Sequence, residues 1–262
     1  MTEASHEPMK LLERSVDALM RLHVEREVPA TFFIVGKTLE MGHAVLRRLR
    51  DYPDLFDVQQ HTYSHLPLKS INPAPDLAAL GNDFDVVGGS PGRIAREVRR
   101  TSDLIANYLD AECTGLRGPW GYYRGLSDRP DILRVLSENG IEFTSTYLRN
   151  RLDYFPVPLA VQPFTYADQG FPGVMEIPSQ DWIDCAWRTV YGWKRTTAFA
   201  GHMRRVVGRA AERGLVLGTC FHDWSVIMLD PELTVMRELF DAAEESKMKV
   251  ESYGGYHARN AA

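Results

Sequence analysis

The chain has 262 residues, 44% hydrophobic and 25% charged, with a formal net charge of −5. That length supports one large core, read here as a single domain over residues 1–262, and the acidic balance supplies no basic field for nucleic acid or an anionic membrane. No apolar run is long enough to span a bilayer, and the start MTEASHEPMK lacks the features of a signal peptide, so a cytoplasmic protein is expected.

From Pro8 to about His23 the apolar residues Leu12, Val16, Leu19 and Met20 recur at helical spacing. After Pro29 the run Ala30-Thr31-Phe32-Phe33-Ile34-Val35-Gly36 reads as a strand, and a helix over Lys37–Arg50 leads to a second one, Phe56-Asp57-Val58-Gln59. Just past it stands His61-Thr62-Tyr63-Ser64-His65. Two neutral imidazoles four residues apart can converge on one divalent metal if the chain turns helical there; the alternative is a pair of hydrogen-bonding histidines at a strand end. The pair alone is one ligand short of a catalytic site. Leu66 to Gly92, rich in proline and glycine, reads as a long loop beside it.

Periodicity returns with Ile94, Val98, Ile105 and Leu109 on one helical face, followed by the short run Thr114-Gly115-Leu116-Arg117 and the turn Gly118-Pro119-Trp120-Gly121. A helix from Asp128 stops at Gly140, and Ile141 to Ser145 is the next strand. Val174-Met175-Glu176-Ile177 leads to Asp181-Trp182. A helix near Thr197–Arg213 precedes a buried strand over Leu215–Phe221, which ends at His222-Asp223-Trp224. A helix over Pro231–Lys247 and a last strand, Val250-Glu251-Ser252, close the chain. Cys113, Cys185 and Cys220 are far apart and without a CxxC, so they are most simply buried thiols.

Strands alternating with helices imply a mostly parallel sheet with helices outside it, either a barrel or an open doubly wound sheet. In such folds reactive groups gather at the carboxyl ends of the strands, where His61, His65, Arg117, Asp181 and His222 all fall.

Together these residues resemble the polysaccharide deacetylase, or NodB-homology, family of carbohydrate esterases. His61-Thr62-Tyr63-Ser64-His65 is a full match to its metal-binding histidine motif. Arg117-Gly118-Pro119-Trp120 is similar to its arginine motif, Asp181-Trp182 to its aspartate-tryptophan motif, and Phe221-His222 to its last motif. The resemblance implies a distorted (β/α) barrel and a hydrolase that removes acyl groups, acetyl above all, from amide nitrogen with a bound divalent metal, zinc being the expected ion. The substrate it implies is an amino sugar or a related soluble molecule. An allantoinase-like hydrolase of a linear or cyclic amide, or a sugar- or amide-binding protein without a catalytic base, are the alternatives.

The family's first motif, a strand ending in two aspartates, has no counterpart in the chain. The resemblance therefore assigns the metal to His61, His65 and an amino-terminal residue, Glu3, with His6 and Glu7 as alternatives. His222 becomes the acid that protonates the departing amine, with Asp181 as its carboxylate partner and the adjacent Asp223 as the other candidate. Arg117 would hold a carboxylate or the substrate, and the Trp120 N–H would receive the oxyanion. Trp182 and Trp224 are expected to wall the pocket, with the Tyr154–Pro172 segment and the 66–92 loop closing over it.

Overall fold

Glu27, with φ +51°, and Pro29 end the first helix and turn the chain into the sheet. In the computed structural model, which describes residues 6–72 and 86–261 and the side chains from Pro8 onward, helix α1 (His6–Arg26) is followed by strand β1 (Ala30–Ile34), helix α2 (Gly36–Leu46) and β2 (Phe56–Gln60). Helix α3 (Pro91–Leu109) leads to β3 (Gly115–Tyr123), α4 (Pro130–Glu138) to β4 (Phe143–Arg149), and a hairpin then joins β5 (Phe164–Tyr166) to β6 (Phe171–Glu176). The six strands lie in the order β1-β2-β3-β4-β6-β5, all parallel to their neighbours except β5, which is antiparallel to β6. This is the mostly parallel α/β sheet with outer helices that the alternation of elements predicts.

In a parallel sheet covered on both faces the strands are buried on both sides, and β3 and β4 are buried along nearly their whole length, polar residues of β4 included. Helix α3 lays Ile94, Val98, Thr101, Ile105 and Leu109 along one buried stripe, the spacing of an amphipathic helix. Its first half packs with Leu116, Tyr122 and Leu133, while Ile105 and Leu109 join Leu39, Leu49 and Val58 on the other side.

The carboxyl half is helical: α5 (Asp184–Tyr191), α6 (Thr196–Glu212), α7 (Asp223–Leu229), α8 (Thr234–Glu245) and α9 (Tyr253–Asn260). Two expected strands are absent from it. Leu215–Phe221 carries no strand ladder, because side-chain amides take the place of a neighbouring strand. Val216 N–H donates to Gln162 Oε1 (2.9 Å), Gly218 N–H donates to Gln180 Oε1 (2.7 Å), and one backbone bond runs from Gln180 N–H to Gly218 O (3.0 Å). Val250–Ser252 instead leads into α9, whose amino end is capped by Ser252 Oγ accepting from Gly255 N–H (3.0 Å).

Among the described residues β1 pairs only with β2. Its residues and the run Leu215–Phe221 line the same cavity, of about 1020 Å³, into which His61, His65, Arg117 and His222 also open. The segment Tyr154–Pro172, expected to close over a ligand, is instead fastened to the body: Phe155 and Val157 are buried, Val157 bridges Asp181, and β5 pairs with β6. In the 66–92 loop, Leu66 and Leu68 are buried and Ile71 bridges Val86; residues 73–85 lie outside the described residues.

The sheet is pinned by a fully buried carboxylate on β6. Glu176 accepts from the hydroxyls of Thr144 (2.6 Å), Thr146 (2.7 Å) and Tyr166 (2.6 Å) and from the backbone N–H groups of Thr146 and Tyr147 (2.7 Å each). Glu176→Gln replaces one acceptor oxygen with an amide that cannot accept. We expect it to lower the unfolding free energy by about 1–3 kcal/mol, read as a lower urea midpoint at unchanged slope.

Candidate active site

The histidine motif begins where β2 ends. His61 N–H still bonds Ile34 O (2.9 Å), extending the ladder by one residue, and the chain then turns sharply, with Thr62 and His65 both at φ +59°. This turn, not a helix, brings the two rings together, with centroids 4.7 Å apart and planes at 71°. Non-glycine residues resist positive φ, so such a turn persists only when its surroundings enforce it. Here Ser64 N–H and Oγ donate to Glu97 (2.7 and 2.8 Å), and Gly36 and Lys37 N–H donate to Thr62 O and Tyr63 O (2.9 and 2.8 Å). Gly36 is required by closeness: a Cβ there would lie 2.8 Å from Thr101 Oγ1 and 2.9 Å from Tyr63.

Both imidazoles are held neutral. Burial is the main cause pushing His61 well below its ordinary pKa, joined by the charges of His65, Arg117 and His222; burial and then His222 lower His65. His61 Nδ1–H donates to Arg117 O (2.7 Å), which leaves the Nε2 lone pair for another partner. Two neutral rings in contact, one with its tautomer fixed, are a donor set that fits a divalent ion. Glu3, the expected third ligand, lies outside the described residues, as do the side chains of His6 and Glu7.

Arg117, on β3, is 6% exposed. Its Nη2 donates to Ser145 Oγ (3.0 Å), and its guanidinium lies over the rings of Phe33 (4.6 Å) and Tyr253 (5.0 Å). Its Nε is buried without a hydrogen-bond partner, and no carboxylate stands within ion-pair distance among the described residues. Trp120, three residues on, has φ +72°, and its carbonyl accepts from Arg149 Nε (3.0 Å), which fixes the direction of the following peptide. Its ring centroid lies 6.5 Å from that of His65.

The partner of His222 differs from expectation. Asp184, the first residue of α5 and 1% exposed, accepts from His222 Nδ1 (2.7 Å) and from His222 N–H (2.9 Å). Asp181 accepts from His202 Nε2 on α6 instead, and its φ of +62° belongs to the bridge with Val157. Asp223 is occupied by its neighbour, accepting from Trp224 N–H (2.8 Å). The reason is local: α5 starts at Asp184, and its first turn, not the preceding bend, faces His222. Asp184 is only three residues past Asp181, and an aspartate opening a helix was the available signal. The Cys185 thiol sits beside them, and Asp184, Cys185 and His222 offer ligand atoms within 4.8 Å of one another. With His222 Nδ1–H already donating to Asp184 at 2.7 Å, the trio reads as a hydrogen-bonded pair with a thiol alongside.

Burial would depress the His222 pKa, but the Asp184 carboxylate outweighs it, with the Cys185 thiol adding to the same direction, and holds His222 well above the ordinary histidine value. The ring is 37% exposed, its open edge facing the cavity. For Asp184 burial likewise pushes upward and is overcome by His222, leaving the carboxyl below its ordinary value.

Of the two tryptophans expected at the pocket, Trp224 lines the cavity and its ring centroid lies 5.8 Å from that of His222. Trp182 belongs instead to an aromatic cluster, stacked with Phe155 at 6.3 Å and edge-on to Tyr191 at 5.6 Å.

The sequence profile of the polysaccharide deacetylase family matches residues 10–144. No curated protein matches the chain. Among solved structures, a probable polysaccharide deacetylase from Pseudomonas aeruginosa PAO1 superposes with a TM-score of 0.68 at 16% identity, over 100% of this chain and 79% of its own. Puue allantoinase gives 0.68 at 13% identity, over 99% and 78%. BA3943, a CE4 family pseudoenzyme from Bacillus anthracis, gives 0.53 at 12%, over 92% and 60%. At these identities the likeness is one of fold.

The pair sets a pH dependence. His222, raised in the folded state, contributes stability that is complete below the unfolded histidine pKa of 6.5 and is lost as pH rises through its folded value. Asp184, lowered, contributes above 3.8 and loses its contribution as pH falls through its folded value. In an NMR titration His222 should therefore stay protonated above pH 6.5 while His61 and His65 are neutral there. Asp184→Asn should move the His222 midpoint downward; an unmoved midpoint would exclude the carboxylate as its cause.

Proposed function

Because the chain belongs to the polysaccharide deacetylase family, we propose that it is a metal-dependent deacetylase acting on the amide nitrogen of an N-acetylated amino sugar or a related soluble substrate. The observation that carries this reading is the division of labour between histidines opening on one cavity. Two adjacent ones are held neutral, and a third is held charged by a buried carboxylate.

On this reading His61, through Nε2, and His65 hold a divalent ion such as zinc, with a carboxylate such as Glu3 as the third ligand. Lewis-acid activation of a water and of the acyl carbonyl is the chemistry such an ion supplies. The remaining steps belong to the protein. The N–H of Trp120, directed by the left-handed backbone at that residue, serves the oxygen on which negative charge develops. Asp184 fixes the His222 ring through Nδ1–H and keeps it an imidazolium, leaving the Nε2 proton to be given to the amine as the C–N bond breaks. Arg117, charged at every working pH, contributes a fixed positive field at the same end of the cavity.

The alternative is a sugar- or amide-binding protein without turnover. One observation favours it: among the described residues no carboxylate joins His61 and His65 in a set of ligand atoms close enough to share an ion.

Elemental analysis of the purified protein separates the two. We expect near-stoichiometric zinc or another divalent ion, lost in a His61→Ala/His65→Ala variant. Acetate should be released from N-acetylglucosamine or its oligomers, with kcat reduced about 10²–10⁴-fold by His222→Ala. Protein that takes up no metal when supplied with it contradicts the deacetylase reading, and turnover of allantoin in place of the sugars would move the substrate to the wider amide class.

A further inference from the structure

Among the described residues, Asp184, Cys185 and His222 are the one set of three metal-ligating side chains whose donor atoms all lie within 4.8 Å of one another. A tetrahedral zinc with bonds of about 2.0–2.3 Å holds its ligand atoms roughly 3.3–3.8 Å apart, so small side-chain rotations bring the set to coordinating distance. Two of the three open α5, and the third is fastened to them through its backbone. Asp184 Oδ2 accepts from His222 N–H (2.9 Å), while Oδ1 accepts from the ring at Nδ1 (2.7 Å). An ion bound through Oδ1 and Nδ1 leaves the backbone bond in place as the contact that aims the carboxylate.

A carboxylate oxygen, an imidazole nitrogen and a thiolate sulfur suit a borderline-soft cation such as Zn²⁺ or Co²⁺ rather than Mg²⁺ or Ca²⁺. Burial is the largest influence on Cys185 and raises its thiol above the ordinary pKa despite the neighbouring His222, so the free thiol is un-ionised and a poor nucleophile. A coordinating metal removes that proton outright. Charge then decides whether so buried a place accepts the ion. In the metal-free set the negative charge of Asp184 and the positive charge of His222 cancel. When a divalent cation replaces the protons on Nδ1 and Sγ, its two charges are cancelled by the carboxylate and the thiolate, so the exchange buries no net charge.

We propose that Asp184, Cys185 and His222 form a second, inhibitory site for a thiophilic divalent cation, zinc above all, which binds in exchange for two protons released to solvent. The inhibition, though not the site, rests on the deacetylase reading. Two protons must leave before the ion can bind here, whereas His61 and His65 are already neutral, so this site fills when metal is in excess. With the ion on Nδ1, His222 keeps its Nε2 proton on a ring that is no longer an imidazolium, and such a ring is a far weaker acid. The carboxylate that charges the candidate acid thus becomes, with the thiol beside it, the means of discharging it.

Cobalt reports on the sulfur directly. The full chain, treated with chelator and kept reduced with a phosphine, is titrated with Co²⁺, and a sulfur-to-cobalt charge-transfer band is expected in the near ultraviolet. The band should vanish in Cys185→Ser and in Cys185→Ala. It should persist in Cys220→Ser and in His61→Ala/His65→Ala, because the histidine pair holds no sulfur. In the latter background Cys185→Ser should lower the zinc affinity measured by equilibrium dialysis by at least about tenfold. No band in the wild type overturns the site and needs no variant to fold. A band that survives in either Cys185 variant, or that disappears with His61 and His65 in a protein of native circular dichroism, overturns it as well. In the acetate-release assay, zinc beyond the first equivalent should lower turnover toward the roughly 10²–10⁴-fold loss expected of His222→Ala, and Cys185→Ser, compared with its own rate at one equivalent, should resist it. Undiminished turnover at excess zinc beside an intact band would overturn the inhibition. A protein that shows the band and releases no acetate at any zinc level contradicts the deacetylase reading and supports the site.

Discussion

The double hold of Asp184 on His222, through ring and backbone, sets both the position and the charge of the candidate acid. A carboxylate 1% exposed is tolerated only when its lone pairs are used, and Asp184 meets that requirement with two N–H groups of a single residue. The consequence runs in both directions. The carboxylate needs the imidazolium as much as the imidazolium needs the carboxylate, so folding raises the pH at which His222 gives up its proton. Helix α5, only eight residues long, is too short to be stable alone. It is held from both ends, by this pair and by buried Arg188, and so transmits the position of the sheet to the segment that carries His222.

Placing a charged histidine beside two others has a second effect. The field of His222 lowers the pKa of both His61 and His65, and that of Arg117 adds to it at His61. One arrangement thus yields an acid and a pair of free-base ligands from the same residue type, the separation of roles by environment that working sites require. The backbone is bent to achieve it. Thr62, His65, Trp120 and Asp181 all have positive φ, a conformation costing of order 1–3 kcal/mol at each non-glycine residue, and all lie beside groups at the carboxyl ends of strands.

The parts of this arrangement legible in the sequence were those fixed by short-range pattern. The stripe of Ile94, Val98, Ile105 and Leu109 and the glycine stop after α4 each have one local solution. His61, His65, Arg117 and His222 could be placed at one end of the sheet because parallel strands leave their carboxyl ends together. What pattern could not supply was a pairing decided by tertiary geometry. Asp181 and Asp184 differ by three residues, and only the starting point of α5 determines which of them meets His222 and which meets His202. Leu215–Phe221 has the composition of a buried strand, but strand formation needs a partner ladder, and Gln162 and Gln180 offer side-chain amides in its place. Trp182 and Trp224 each follow an aspartate, yet one packs against Phe155 and the other lies beside His222, a difference set by tertiary contacts.

The charge balance of the cavity bears on what the site can hold. Arg117 and His222 are cations; among the described residues Asp184 is the one buried anion paired with either, and Arg117 meets neutral groups in Ser145, Phe33 and Tyr253. Such an excess of positive charge stabilises an oxygen that becomes negative during acyl transfer. The same excess opposes a divalent cation at His61 and His65, which as neutral imidazoles bring no charge to offset it. A third neutral imidazole would leave that repulsion in place, whereas a carboxylate cancels part of it and gives the guanidinium its missing counter-charge. On the deacetylase reading, an acidic third ligand would therefore suit this site better than a neutral one.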